Sequence, residues 1–110
     1  MEIRRGDIVR VDFGTVIGSE QGGQRPAVVV QNDVGNMRAP TCIVLPMTSS
    51  STKASLPTHC RIAPTNNTGL RVESVVLAEQ FRTVGKVRII DKIGSLNALQ
   101  IAAVDEAIRV

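Results

Sequence analysis

The densest group of reactive side chains is the run Gly18-Ser19-Glu20-Gln21-Gly22-Gly23-Gln24-Arg25-Pro26. Ser19, Glu20 and Gln21 supply a hydroxyl, a carboxylate and an amide in succession, flanked by glycines that let a backbone come close to a ligand. Arg25 stands where this loop meets an apolar segment, so its base is anchored while its head can reach over the loop. Guanidinium is the side chain best suited to paired hydrogen bonds with phosphate oxygens. Taken alone, the same pattern also describes a surface loop with a solvated arginine. A second run, Pro46-Met47-Thr48-Ser49-Ser50-Ser51-Thr52-Lys53, sets hydroxyls behind another apolar segment. Such groups can donate to phosphates or bases, and they equally suit a plain polar hairpin loop.

Other chemistries find little support. His59 is the only histidine, which excludes two-histidine acid–base catalysis within one chain; in LPTHCR it reads as a half-buried strand residue. The 10 carboxylates are scattered without metal-binding spacing. No P-loop, GxSxG or HExxH occurs. Cys42 and Cys60 lie in apolar segments with no CxxC, so they are expected to be reduced, buried and free of zinc. No metal and no cofactor is expected.

The elements that must position the two polar runs follow from periodicity. Residues 8–13 alternate, with Val9, Val11 and Phe13 on one side and Arg10 and Asp12 on the other, as a strand does. A glycine-rich loop spans 14–24, and PAVVVQ (26–31) is a core strand with Pro26 at its first residue. Residues 32–40 read as a loop. Strands follow at 41–47, with Pro46 hinting at an edge or bulge, and at 57–62 and 74–80. A turn lies at 64–69, and a sixth strand is expected over 86–91. After Gly94, Ser95 suits a helix N-cap; Leu96, Leu99, Ala103, Ala107 and Val110 recur at helical spacing, widened by Ile101, Val104 and Ile108. Asp105 and Arg109 stand as a favourable i,i+4 pair.

These elements fit a mainly β fold in one domain over residues 1–110, a small barrel with one helix packed on it. The 43% hydrophobic content makes it globular. No apolar run approaches the roughly 18 residues of a membrane span, and MEIRRGD has no apolar segment behind its charges, so a cytoplasmic protein is expected. The net charge of +3 suits an anionic partner. With only Phe13 and Phe81 as aromatics, readers that stack bases on several rings are disfavoured.

In order and spacing, RGDIVRVDF, GSEQGGQRPAVVVQND, LPMTSSSTKASLPTH and SVVLAEQFRTVGKVRIIDKIG resemble the MazF/PemK toxin family over nearly the whole chain. The resemblance implies an SH3-like barrel of five to seven short strands with a C-terminal helix. It implies a symmetric homodimer, single-stranded RNA laid across the dimer groove, and a MazE-like antitoxin whose disordered acidic tail occupies that groove. It implies a metal-independent endoribonuclease in which the RNA 2′-OH attacks the adjacent phosphorus, leaving a cyclic phosphate and a 5′-OH. Arg25 and Thr48 match the family's cleavage residues, and Glu20 matches a loop acid. Ser19, Gln21, Ser49, Lys53, Leu56, Pro57 and Gln80 match substrate-contacting positions. Two rivals share parts of this pattern: a CcdB-like gyrase poison on the same barrel, which would not need Arg25 at a phosphate, and a non-catalytic RNA-binding module.

Overall fold

The computed structural model describes residues 1–15, 22–49 and 56–110. Seven strands form the body: β1 (Asp7–Asp12), β2 (Gln24–Val29), β3 (Thr41–Thr48), β4 (His59–Ile62), β5 (Ser74–Leu77), β6 (Arg82–Gly85) and β7 (Ile89–Ser95). A one-and-a-half-turn helix α1 (Asp33–Arg38) joins β2 to β3, and α2 (Ala98–Arg109) follows β7. The strands pair antiparallel in the order β4-β5-β3-β2-β1-β7, with β6 beside the first half of β3.

Period-2 alternation buries both faces of the central strands. Ile8, Val28, Leu45 and Met47 pack toward Val104 and Ala107 of α2. Their neighbours Val9, Val11, Ala27, Val29, Cys42 and Val44 point the opposite way, against Phe13, Val84 and Ile89. Each such aliphatic side chain contributes roughly 1.5–3 kcal/mol on burial, so the two-sided core fixes the strand register firmly. The exposed Arg10 and half-buried Asp12 alternate away as expected.

Several boundaries differ from expectation for local reasons. Residues 33–38 form a helix rather than a loop, because the Asn32 side chain accepts the Gly35 amide and caps it. Residues 78–80 leave the ladder in a 3₁₀ turn, and so do 86–88, where Val87 is almost fully exposed. Of the single strand expected at 86–91, only 89–91 is strand, the opening of β7; β6, before that turn, was not expected. The helix cap is Asn97, in a reciprocal capping box with Gln100; Ser95 closes β7 instead. The buried face of α2 centres on Ile101, Val104 and Ala107, while Leu99 and Val110 face outward. The helix packs on β4 and the 78–80 turn, which turns it away from the stripe read in the sequence. Asp105 pairs with Arg5 at 2.6 Å rather than with Arg109, which bonds Glu106.

Pro26 and Pro46 mark a fork. Pro26 is the third residue of β2, not the first, and β2 pairs with β3 only from Ala27 onward. On the other side of β3, the partner changes from β6 (through Val44) to β5 (from Met47). Pro46, which has no N–H to give, sits in that gap, so the strand is central rather than an edge.

The expected barrel holds only loosely. Among the described residues the ladder does not join β4 to β7. The turn after β4 packs on β7 instead, with the Ser95 amide donating to Asn67 O at 2.8 Å. Gly69 and Gly94 permit this approach: a Cβ at Gly69 would strike the Ile93 carbonyl, and one at Gly94 the Thr68 carbonyl.

Candidate nucleic-acid interface

At the fork between β2 and β3 lies an open groove of about 480 Å³. Arg10, Arg25 and Arg71 line it together with Gln24, Thr48, Ser49 and Ser74, over a floor that includes Pro26, Met47, Leu70 and Ile93. Its described lining holds three guanidinium groups and no carboxylate. Such a wall attracts an anion, and an arginine fork can grip a phosphate by two hydrogen bonds.

Local structure explains how Arg25 and Thr48 meet. Ala27 pairs with Pro46, Val28 with Leu45 and Val29 with Val44. Continued by two residues past the last pair, the same register sets Arg25 opposite Thr48. The strands are no longer bonded there, because β3 has turned to β5 through Met47 and Thr48. Thr48 is therefore held by a ladder on one side and faces the groove on the other.

Arg25 is half-buried, and its Nε donates to the Gly22 carbonyl at 2.8 Å. That bond fixes the inner part of the guanidinium. Gly22 belongs to the neck of the β1–β2 connection, where the Phe13 amide donates to Gly23 O and the Gly23 amide to Gly14 O, both at 2.9 Å. Gly14 and Gly23 have φ of 68° and 70°, a left-handed conformation that suits glycine. The Arg82 guanidinium lies 5.1 Å over the Phe13 ring and stiffens the same neck. Arg10 shares an exposed ion pair with Asp91 at 3.3 Å, a weak contact that a phosphate can outcompete.

Of the expected site residues, Arg25, Thr48 and Ser49 are brought to this groove. Ser19, Glu20, Gln21 and Lys53 lie outside the described residues. Leu56, Pro57 and Gln80 are not among its lining; they gather around a second cluster built on His59 and Glu79. Arg10 and Arg71 were missed. Arg10 looked like a solvent-facing strand residue, though its pairing with Pro26 carries it to the groove wall. Arg71 lies between β4 and β5 and carries no local sequence signal.

A second hollow of about 430 Å³ is mainly apolar, with Val30, Ile43, Leu45, Ala78, Phe81, Ile108 and Val110 around it. Phe81 is 66% exposed and Val110 70%, more than a lone surface hydrophobe explains when Ile43 and Ile108 adjoin them.

The titratable groups add detail. Burial would raise the Glu79 carboxyl, but hydrogen bonds from its own backbone amide, Thr58 and His59 outweigh it and hold Glu79 below its ordinary value. Burial pushes both thiols up, Cys42 against a smaller opposing pull from Lys86 and Cys60 without one. Protonated and buried, they behave as small hydrophobes. Among the described residues, no three His, Cys, Asp or Glu side chains gather closely enough to hold a metal ion, and no helix is long and apolar enough to cross a membrane.

In sequence and fold the chain is similar to known toxins. Residues 4–110 match the family model described as a PemK-like, MazF-like toxin of type II toxin-antitoxin systems. Over 110 residues the chain is 46% identical to endoribonuclease EndoA of Bacillus subtilis (strain 168), covering 100% of this chain and 94% of that protein. The crystal structure of MazF (Form-I) from Deinococcus radiodurans superposes with a TM-score of 0.81 at 26% identity, covering 98% of this chain and 94% of that one. An endoribonuclease from a mycobacterial species, solved with its cognate antitoxin, has the same fold, with a TM-score of 0.78 at 22% identity and coverage of 96% and 90%.

Proposed function

The chain belongs to the PemK-like, MazF-like toxins of type II toxin-antitoxin systems; it is an endoribonuclease toxin of the MazF kind, and we propose that it cuts single-stranded messenger RNA in the arginine-lined groove. The observation that carries this placement is the convergence of Arg25 and Thr48, from strands that have just parted, on a groove with three arginines and no carboxylate in its described lining.

The reaction is transesterification. The ribose 2′-oxygen forms a bond to the adjacent phosphorus as the bond from phosphorus to the 5′-oxygen breaks. The 2′ proton passes to a base, and the leaving 5′-oxygen takes up a proton. The products are a 2′,3′-cyclic phosphate and a 5′-OH, and no water or metal enters this step. Arg25 stabilises the charge that builds on the phosphorane, an effect worth roughly 3–4 kcal/mol per well-placed donor. The Gly22 carbonyl on Nε leaves the two terminal nitrogens of Arg25 to face the phosphate. Thr48 donates to the phosphate and holds the in-line geometry. Arg10 and Arg71 bind flanking phosphates. Glu20 is the proposed base, and a Glu20→Gln variant with an unchanged single-turnover rate removes it from that role.

The partners follow the same logic. The acidic, disordered tail of an antitoxin competes for the arginines that hold RNA. A second copy of the chain covers the apolar hollow around Phe81 and Ile108, giving a symmetric homodimer. The place of action is the cytoplasm, where messenger RNA is exposed.

The test is incubation with mixed RNA in excess chelator, followed by mapping of cut sites and end groups. Cyclic phosphate and 5′-OH ends, with no cutting of RNA carrying a 2′-deoxy residue at the cleaved position, are expected. Uncut RNA beside inhibited DNA supercoiling would favour the gyrase-poison alternative, and RNA binding without cleavage would favour a passive module.

A further inference from the structure

We infer that His59 is a positioning residue for RNA recognition: its ring ties the Leu56–Pro57 corner to the Glu79–Gln80 turn, and so sets the spacing of a contact surface separate from the cleavage groove. The inference rests on the RNA-cleaving reading above and adds to it a residue that is not among the family-matched contact positions.

The geometry defines the ring's state. The His59 side chain is only 4% exposed. Its Nδ1 lies 3.3 Å from the Leu56 amide nitrogen. An amide can only donate, so Nδ1 is the bare nitrogen and Nε2 carries the proton. Nε2 lies 3.1 Å from Glu79 Oε2 and donates to it. The other Glu79 oxygen accepts the Thr58 hydroxyl at 2.9 Å. Two backbone bonds reinforce the link, from His59 N to Leu56 O at 2.9 Å and from Ala78 N to Thr58 O at 3.1 Å.

Residues 56–59 and 78–79, which leave β4 and β5 at the same end, are thus joined through one imidazole and one carboxylate. What they present outward is the exposed Leu56 and Pro57 and the half-buried Gln80. With both ring nitrogens engaged, His59 has no lone pair available for a substrate proton. It is also absent from the lining of the groove that holds Arg25 and Thr48. Its role is therefore to place neighbours and not to transfer protons.

The experiment has two arms. In the first, ¹⁵N-resolved NMR of the wild-type protein at neutral pH reads the single histidine without overlap. The neutral ring with its proton on Nε2 is expected; a proton on Nδ1, or rapid exchange between the two forms, overturns the tether. In the second arm, steady-state cleavage is measured for His59→Phe, His59→Asn and His59→Gln. His59→Phe removes both bonds and should raise KM, and the Kd for RNA with a 2′-deoxy cleavage site, about tenfold while kcat stays within about twofold. His59→Asn puts an acceptor near the Nδ1 position and should recover most of the binding; His59→Gln puts its donor near Nε2 and should recover less. A fall in kcat at unchanged KM, or no change in folded His59→Phe, overturns the assignment. If His59→Phe does not fold, Glu79→Gln supplies the same split, because it weakens the anchor from the other side. A wild-type protein that cuts no RNA refutes the functional reading, whereas the NMR arm judges the tether by itself.

Discussion

The arginine groove and the apolar hollow enclose nearly the same space, about 480 and 430 Å³, but different backbone makes them. The groove opens where β2 and β3 stop bonding to each other, at Pro26 and Met47. Strand ends and turns wall it, so guanidinium and hydroxyl groups can point inward without being trapped in a core. The hollow lies where β3 and the 78–80 turn meet the end of α2. Its strand and helix residues turn aliphatic side chains outward, and no described element covers them. One concavity is built for an anion and the other for an apolar surface, and equal volume says nothing of the difference.

The comparison can be broken first at Arg25. Arg25→Ala should lower single-turnover RNA cleavage by roughly 10²–10³ with the melting temperature unchanged, since one lost electrostatic donor has that effect. Thr48→Val, of equal volume, should cost less. An unchanged cleavage rate in Arg25→Ala would mean that the groove does not hold the chemistry.

The next effect belongs to the hollow. Phe81→Asp or Ile108→Asp should weaken self-association by at least about 100-fold by sedimentation, because each buried apolar side chain is worth roughly 1.5–3 kcal/mol and a two-fold axis counts it twice. Cleavage-defective protein that still dimerises, and monomeric protein that still folds, would separate the two concavities cleanly.

Salt sharpens the contrast further. If Arg10, Arg25 and Arg71 each neutralise one phosphate, binding of a 2′-deoxy-blocked single strand should fall about 20-fold between 50 and 200 mM salt, the slope of log K on log salt being near −2. Self-association through the hollow should hold steady or strengthen over the same range.

The smallest expected effect concerns the rim of the hollow. Glu79 is held below its ordinary 4.5, so its ionised form adds stability at and above that value and the contribution disappears as the pH drops through the lowered one. Thermal melts of Glu79→Gln should therefore match wild type in strong acid and fall slightly short above about pH 5. An equal deficit at every pH would show that the carboxylate's charge is irrelevant there.

Much of this was written in local pattern. The alternation of residues 8–13 and the apolar run after Pro26 announced strands because each strand residue reports its own face. Arg25 and Thr48 were legible as candidates from the polar runs beside those strands. The α1 helix was not, since six residues with a glycine among them carry too little periodicity, and its Asn32 cap looks like any loop asparagine. Arg10 and Arg71 were not, because each reaches the groove through pairing with, or packing on, a segment distant in sequence.

By itself the amino-acid order marked most of the strand segments, the helical tail and the polar runs proposed to handle a phosphate, all properties of neighbours along the chain. Tertiary structure alone decided that β3 would exchange β2 for β5 beyond Pro46, and that Gly69 and Gly94 would close the gap between the outer strands. It also decided that α2 would bury Val104 and Ala107 while leaving Leu99 wet. Those outcomes depend on which distant surfaces compete for the same partner, and backbone pairing and core volume can resolve that competition only once the whole chain has folded.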